Sequence, residues 1–379
     1  MDKVFKYELF NKMIRDFAVN EVKPLAHEVD EQERFPYEIV EKMAKLGLMG
    51  IIVPKEYGGM GGDYKMYIKA VEELSKVCAT TGVILSAHTS LCIAPIMEYG
   101  NEEQKKKYLP KLASGEWLGA FGLTEPNAGT DANNQTTTAV KEGDHWVLNG
   151  SKIFITNAGP ANVYFVIAVT GRNPKGVECA AFIVEKGFPG FSVGKKELKM
   201  GIRGSSTCEL IFENCIVPEA NLVGKIGEGV KMALKTLDGG RVGISAQALG
   251  IAEGALEATV AYVKERKQFN KPISAFQNTQ FCLADLYTKI NAASLLVERA
   301  TEAKQNKSPM LGMYAAQAKL FAAETAMEVT TKCVQLHGGY GYTREYPVER
   351  MMRDAKITEI YEGTSEVQRM VISGALLKK

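Results

Sequence analysis

The sequence predicts an α+β multi-domain fold with an N-terminal α-helical domain, a middle antiparallel β-domain and a C-terminal helical bundle. Two changes of hydrophobic pattern within the 379 residues lead to this prediction. Apolar side chains recur at helical spacing over residues 1–119 and again over residues 227–379. Residues 120–226 alternate with a period of two, or form short apolar runs between turn residues, which is typical of strands.

The N-terminal domain is predicted from two amphipathic patterns and from the residues at their boundaries. Pro36 sits where a helix would begin, and Gly47 sits where that helix would end. Residues 56–63 (EYGGMGGD) form a predicted glycine-rich loop. The apolar positions of the two patterns are Phe10, Met13, Ile14 and Phe17, then Ile39, Val40, Met43 and Leu46.

The middle domain is predicted from six or so short strands that have no helices between them. Such an arrangement favours an antiparallel sheet or barrel over a Rossmann unit. Turn residues are found at 149–150, 157–160, 174–176 and 189–190. The clearest predicted strands cover residues 145–148, 153–156, 163–169, 180–184 and 209–212.

The C-terminal domain is predicted from three long helical segments, residues 227–267, 275–304 and 311–337. Long neighbouring helices with short connections are typical of a bundle. The first segment is rich in small residues between Gly239 and Ala255, which would let another helix or a ligand approach closely.

Composition excludes several classes of function. The net charge of +2 gives no electrostatic footprint for nucleic acid or an anionic membrane. We find no apolar run near the ~20 residues of a membrane span and no signal peptide, so we expect a cytoplasmic protein without membrane insertion. Seven scattered cysteines without a CxxC pair, and four separated histidines, argue against a disulfide framework and against a metal site.

Two motifs fall in or beside the predicted strands. Residues 121–131 (FGLTEPNAGTD) offer backbone N–H groups and threonine hydroxyls to an anion or a ring edge, or they form a surface turn between domains. Residues 154–157 (FITN) allow two interpretations. Either Phe154 stacks on a planar cofactor and Thr156 hydrogen-bonds the edge of that cofactor, or Phe154 belongs to the core of the sheet.

Three further motifs lie on the long helices. In residues 238–241 (DGGR), the two glycines indicate either close helix packing beside an i,i+3 ion pair or a bound ligand. Residues 266–269 (RKQF) place cations at a helix end, where they are ordinary partners of the helix dipole. Residues 335–342 (QLHGGYGY) carry three glycines in four positions, more than a simple helix C-cap requires.

The sixth motif is IYEGTSE at residues 360–366. Ser365 and Gln368 have the spacing of a capping box, so we expect the last helix to begin here. Glu362 would lie just before that helix, either as an exposed loop acid or as a desolvated carboxylate with a raised pKa that acts as a base. No GxGxxG after a strand, no GxxxxGK[ST] and no GxSxG occurs in the chain. A Rossmann NAD site, a P-loop and an α/β-hydrolase nucleophile are therefore poorly supported.

Taken together and in this order, the motifs resemble the acyl-CoA dehydrogenase family, short-chain (butyryl-CoA dehydrogenase) type. The most specific stretches are residues 122–131, 335–354 and 360–368. The resemblance implies domains at 1–119, 120–226 and 227–379, the last a four-helix bundle. It also implies FAD between the β-domain and the bundle, in a tetramer whose neighbouring subunit completes the FAD site.

The resemblance assigns roles residue by residue. Arg266, Gln277 and residues 335–339 would hold FAD bound mainly by the neighbouring subunit, and residues 83–96 would line the acyl end of the pocket. The positions matched to FAD are Phe121, Leu123, Thr124, Gly129, Thr130, Phe154, Ile155, Thr156, Arg266, Phe269, Gln277, Gln335, Gly338, Gly339, Thr364, Ser365 and Glu366. The positions matched to the acyl-CoA substrate are Thr130, Asp238, Arg241, Tyr361 and Gly363.

The same resemblance makes Glu362 the catalytic base. Isovaleryl-type members carry their base at the position of Gly240, which has no side chain to act with. The implied reaction converts butyryl-CoA to crotonyl-CoA, in either direction, with electrons exchanged with an electron-transferring flavoprotein. Alternatives on the same scaffold are an acrylyl- or aryl-acrylyl-CoA reductase, an acyl-CoA oxidase and a non-catalytic assembly protein.

Overall fold

The computed structural model describes residues 3–173 and 176–377. Its helices and strands follow the predicted order of α, then β, then α. The fold class is confirmed, while the domain boundaries at 119/120 and 226/227 stay predictions.

Seven α-helices build the N-terminal part. They are α1 (Lys3–Phe17), α2 (Ala26–Glu31), α3 (Tyr37–Lys45), α4 (Tyr64–Val77), α5 (Ala79–Ser86), α6 (Ala94–Tyr99) and α7 (Glu102–Ser114). The start of α3 after Pro36 and the left-handed Gly47 just beyond its end agree with the predicted boundaries. A π-helical segment, Ala87–Ile93, joins α5 to α6.

The continuous helical stretch Ala79–Tyr99 corrects one expectation drawn from the sequence. By length and composition it passes as a membrane span, although we expected no apolar run of that kind. Within the described residues, however, 89% of its apolar window is buried inside the molecule. It is therefore a core helix of the folded protein, packed against α4, against the first strand and against the long helix that begins at Gly229.

Within the described part of the chain, eight strands form the middle sheet. They are β1 (Gly119–Gly122), β2 (Thr138–Glu142), β3 (His145–Ile155), β4 (Val163–Asn173), β5 (Gly176–Glu185), β6 (Phe191–Lys196), β7 (Cys208–Pro218) and β8 (Leu222–Val223). The order β6-β7-β3-β2-β4-β5-β8 is antiparallel as predicted, except that β2 meets β4 in parallel. The short strand β1 also pairs with β4 in parallel.

One predicted turn is wrong. Asn149-Gly150 does not end a strand, because β3 runs through it with a shift of register against β7 between Leu148 and Gly150. Gly150 has φ of +136°, and a Cβ there would lie 2.7 Å from the Cα of Thr137. The glycine therefore serves a bulge with close backbone approach, a use of Asn-Gly that local sequence does not distinguish from a hairpin.

Strand β4 shows how the sheet separates two cores. Phe165 and Ile167 point into the large core shared with the helices. Tyr164 and Val166 point into a second core that contains Trp146. The alternation follows from the period of two along a strand, and it places the helix-facing side of the sheet against the π-helical segment and the long helix that begins at Gly229.

The C-terminal part contains α8 (Gly229–Glu265), the small hairpin β9 (Lys267–Gln268) and β10 (Lys271–Pro272), α9 (Gln277–Gln305), α10 (Leu311–His337), α11 (Val348–Lys356) and α12 (Ser365–Leu377). Helix α10 packs against α8, α9 and α12, which together form the bundle. Gly250 and Gly254 of α8 lie against the backbone of α4, where a Cβ would approach carbonyl oxygens to 2.3 and 2.0 Å. The small residues predicted to permit close packing thus join α8 to the N-terminal helices.

Candidate active site

Glu362 lies in a tight loop between the turn Ile357–Glu359 and α12. Its φ is +54°, a left-handed conformation that costs a side-chain-bearing residue about 1–2 kcal/mol. Gly363 follows with φ of +94°. A non-glycine residue held in this region requires compensating contacts from its surroundings.

Those contacts go to the loop's carbonyl oxygens. Arg241 of α8 donates from Nε to the Glu362 oxygen at 3.2 Å. Gln368 of α12 donates from Nε2 to the Glu362 oxygen at 3.3 Å and to the Gly363 oxygen at 2.7 Å. Lys319 of α10 donates from Nζ to the Gly363 oxygen at 2.8 Å. Three helices of the bundle therefore fix the loop that carries Glu362.

The Glu362 carboxylate is sequestered. Within residues 3–173 and 176–377, its buried Oε2 has no hydrogen-bond partner. Burial raises the pKa of Glu362 to about 8, although the positive charges of Arg241 and Lys319 act in the opposite direction. The desolvated-base interpretation is thus supported over an exposed loop acid, since a base needs a pKa near the working pH.

Gly240 explains the space that the carboxylate occupies. A Cβ on Gly240 would lie 2.1 Å from Glu362 Oε2 and 2.9 Å from Leu91 Cδ2. Any side chain at position 240 would therefore displace the carboxylate. Leu91 therefore brings the π-helical part of residues 83–96 next to Glu362, and the role of this segment at the acyl end of the pocket stays a prediction.

Asp238 and Arg241 form the i,i+3 ion pair that the sequence allowed, with 2.8 Å between Oδ1 and the guanidinium. Arg241 is almost fully buried, and burial also raises the pKa of Asp238. Tyr361 donates its hydroxyl to the Gln247 side chain, which in turn donates to the Ala79 oxygen at 3.1 Å. The structure thus gives these residues internal partners, and their substrate contacts stay predictions.

The β-domain motif at residues 121–131 begins on β1. Phe121 is buried and stacks on Phe165, with ring centroids 6.2 Å apart. Leu123 is buried and Thr124 half-buried, whereas Gly129 and Thr130 are exposed. The motif therefore runs from the core to the surface, as a ligand-lining loop would.

A buried ion pair that the sequence did not reveal supports this loop. Glu125 meets Lys152 of β3 at 2.6 Å, with side-chain exposures of 2% and 0%. Glu125 also accepts from Thr136 and Thr137, and Lys152 donates to Gln135 Oε1 at 2.8 Å. Burial lowers the pKa of Lys152 to about 8 despite the attraction of Glu125. Lys152 faces inward beside a bulge, so alternation alone gave no signal for it.

Phe154 is not a residue of the sheet core. Its φ is +59°, and 60% of its surface is exposed. Ile155 beside it is buried, and Thr156 is half-buried. A bulky aromatic side chain exposed at a strained backbone position fits a residue that covers a bound ring.

A second group of predicted residues meets at the other end of α10. Arg266, Gln335, Gly338 and Gly339 line a cavity of about 530 Å³. The Arg266 guanidinium lies 5.3 Å from the centre of the Tyr340 ring, which also lines the cavity. Phe269 (88% exposed) and Gln277 lie on the surface of the adjoining hairpin and helix start.

The start of α12 agrees with the prediction, but its cap does not. The helix begins at Ser365, so Thr364 is the capping residue and its Oγ1 accepts from Val367 N at 3.4 Å. Gln368 cannot complete a capping box because its amide donates to the Glu362 and Gly363 oxygens instead. Ser365 Oγ is buried without a partner among the described residues, and Glu366 is exposed.

No group of three or more histidine, cysteine, aspartate or glutamate side chains suited to a metal ion occurs in the part of the chain that the structure describes. All seven cysteines are free thiols.

Three family models match the chain. They are the N-terminal domain (residues 6–116), the middle domain (residues 120–215) and the C-terminal domain (residues 227–377) of acyl-CoA dehydrogenases. The chain belongs to the acyl-CoA dehydrogenase family.

Individual relatives give finer comparisons. The chain is 62% identical to a short-chain specific acyl-CoA dehydrogenase of Clostridium acetobutylicum, over 98% of each chain. It is 51% identical to an NADH-dependent acryloyl-CoA reductase of Anaerotignum propionicum, over 98% of this chain and 94% of the other. The solved structure of butyryl-CoA dehydrogenase from Megasphaera elsdenii superposes with a TM-score of 0.95 at 51% identity, over 98% of each chain.

Proposed function

We propose that this protein is an FAD-dependent dehydrogenase of short-chain acyl-CoA, with Glu362 as the base that removes the substrate α-proton. The observation that carries the proposal is the Glu362 carboxylate, buried against Gly240 with an oxygen that lacks a partner and with a pKa raised to about 8. The 62% identity to a short-chain specific relative supports the substrate class.

The residues present fit FAD. Phe154 exposes an aromatic face at a strained position, and the buried Ser365 Oγ has no partner among the described residues. The glycines at 338 and 339 leave their Cβ positions open, with no heavy atom within 4 Å, beside the cavity that Arg266 lines. We assign the flavin ring to Phe121, Leu123, Thr124, Gly129, Thr130 and residues 154–156, together with Thr364, Ser365 and Glu366. The cavity lined by Arg266, Gln335, Gly338 and Gly339 takes the FAD of a neighbouring subunit, with Phe269 and Gln277 at its edge.

Removal of the α-proton depends on how the loop at residues 360–364 holds Glu362. A saturated thioester is a very weak carbon acid, so the base must be desolvated and held close to the α-carbon. The contacts from Arg241, Gln368 and Lys319 supply this fixed position, and Oε2 of the carboxylate is withdrawn from water. Bound FAD supplies the acceptor for the β-hydride, so that the thioester leaves as a trans-2-enoyl-CoA.

We propose the binding partners and the oligomeric state of the protein by analogy with its family. Acyl-CoA is the substrate, with Asp238, Arg241, Thr130, Tyr361 and Gly363 at its binding site. We assign electron exchange to an electron-transferring flavoprotein and the assembly to a homotetramer in the cytoplasm. Exposed apolar side chains on α9 and α12, namely Phe281, Tyr287, Leu295 and Met370, are consistent with burial between subunits.

The acryloyl-CoA reductase similarity favours a second candidate, reduction of a short enoyl-CoA on the same scaffold. One anaerobic experiment distinguishes the two: the purified flavoprotein is titrated with butyryl-CoA, propionyl-CoA and an aryl-propionyl-CoA while flavin absorbance is followed. Prompt bleaching by butyryl-CoA is expected. Bleaching by propionyl-CoA or by the aryl thioester alone would favour the second candidate, and a protein that binds no flavin would contradict both.

A further inference from the structure

Lys319 is a charged residue in an alanine-rich stretch of α10. Its side chain is fully buried, and Ala315, Ala316, Ala318, Ala322 and Ala323 surround it in the sequence and are buried as well. A buried ammonium is costly unless it is paired or hydrogen-bonded. Helix α10 contacts both the turn Ile357–Glu359 and α12, the two elements on either side of the loop at residues 360–364.

The contacts of Lys319 are directed at the loop of the base. Its Nζ donates to the carbonyl oxygen of Gly363 at 2.8 Å, and Gly363 directly follows Glu362 in the chain. Glu362, Glu359 and Glu366 attract its charge, Arg241 repels it, and burial lowers its pKa to about 8. A residue that only anchored this carbonyl would not need a positive charge, because the neutral amide of a glutamine can also donate a hydrogen bond to it.

Among the described residues, four ionisable groups interact with the charge of Glu362. Arg241 comes from α8, Lys319 from α10 and Tyr67 from α4, while Tyr361 belongs to the same loop. The two tyrosines are neutral, since burial raises the pKa of both. Arg241 already shares its charge with Asp238. Lys319 is therefore the cation facing Glu362 whose charge no ion pair within 4 Å offsets among the described residues.

We propose that Lys319 is a positioning residue for the base: its Nζ fixes the Gly363 carbonyl, and its positive charge favours the ionised form of the neighbouring Glu362 carboxylate. This inference rests on the proposed function, because it assumes that Glu362 is the base. The proton moves from the substrate α-carbon to a Glu362 oxygen, and Lys319 neither gives nor takes a proton in this step.

The test separates charge from hydrogen bonding. Lys319→Gln keeps a donor for the Gly363 oxygen without charge, Lys319→Met removes both, and Lys319→Arg keeps the charge. Lys332→Gln is the matched control, since Lys332 lies exposed on the same helix. The rate of flavin bleaching by subsaturating butyryl-CoA is measured anaerobically by rapid mixing from about pH 6 to about pH 10, and the pH midpoint of the free holoprotein is extracted.

We expect the midpoint to rise by about one pH unit or more in Lys319→Gln and Lys319→Met, since a lost opposite charge disfavours the carboxylate. That shift means an approximately tenfold slower reaction at pH values below the midpoint. Lys319→Arg should stay closer to the wild-type midpoint, and Lys332→Gln should match it. If Lys319→Gln does not fold, Lys319→Met, an uncharged side chain of similar length, gives the same measurement.

An unmoved midpoint with a rate lowered equally at every pH would reduce Lys319 to a structural anchor and overturn the inference. Glu362→Gln is run beside these variants. If Glu362→Gln still bleaches its flavin at the wild-type rate, the proposed base is wrong. If Glu362→Gln is inactive while the midpoints of the Lys319 variants stay fixed, only the role of Lys319 is refuted.

Discussion

Replacing Gly240 by alanine should disable the site without harming the fold. The added Cβ would lie 2.1 Å from Glu362 Oε2, where ordinary contact requires 3.4 Å or more. The carboxylate must therefore retreat by about 1 Å, a displacement that can cost about 100-fold in rate. The same change adds a better helix former inside α8, worth up to about 1 kcal/mol of stability, which offsets the shift that Leu91 Cδ2, 2.9 Å from the new Cβ, has to make.

The assay is anaerobic flavin reduction by butyryl-CoA, paired with thermal unfolding. Gly239→Ala is the matched control, because its Cβ would meet only the flexible end of Lys304 at 3.3 Å. We expect Gly240→Ala to be about 100-fold slower with an unchanged or higher melting temperature, and Gly239→Ala to stay within a few-fold of wild type. Wild-type turnover by Gly240→Ala would refute the placement of the Glu362 carboxylate against α8.

Three other expectations follow from the same geometry. Because Glu362 acts only when ionised and its pKa is about 8, kcat/KM should fall as pH drops below 8, about tenfold per unit, and a profile flat from pH 6 to 9 would contradict this. Glu125→Gln leaves the buried Lys152 without its counter-charge and should cost about 3 kcal/mol in urea unfolding, whereas an unchanged unfolding midpoint would show that the pair is dispensable. Phe154→Gly relieves a left-handed φ, so it should stabilise the flavin-free protein by about 1 kcal/mol. The same variant should retain FAD less well, and unaltered retention would remove Phe154 from the flavin site.

Sequence patterns predicted what depends on local periodicity. The three long helices α8, α9 and α10 begin and end within a few residues of their predicted limits, since a helical apolar pattern is sustained over many turns. The turn at Asn149-Gly150 was wrong because the same dipeptide serves a hairpin or a bulge, and only the approach of Thr137 decides between them.

The candidate site shows the same limit. The motifs identify both Glu362 and Gly240. No local sequence signal, however, shows that the Glu362 carboxylate occupies the space where Gly240 has no side chain. Lys319 and Lys152 were missed because each is one lysine in a regular element, and burial of a lysine is set by tertiary contacts. Gln368 was assigned to a cap, whereas the folded loop offers it two better acceptors.

Glu362→Gln gives the most direct test of the account. The variant keeps the shape of the side chain but cannot accept an α-proton, so FAD and acyl-CoA should still bind. In anaerobic mixing with butyryl-CoA, we expect a spectral shift on binding and practically no bleaching of the flavin. Bleaching at a rate near that of the wild-type protein would show that another group removes the proton, and it would contradict the role of Glu362 as the base.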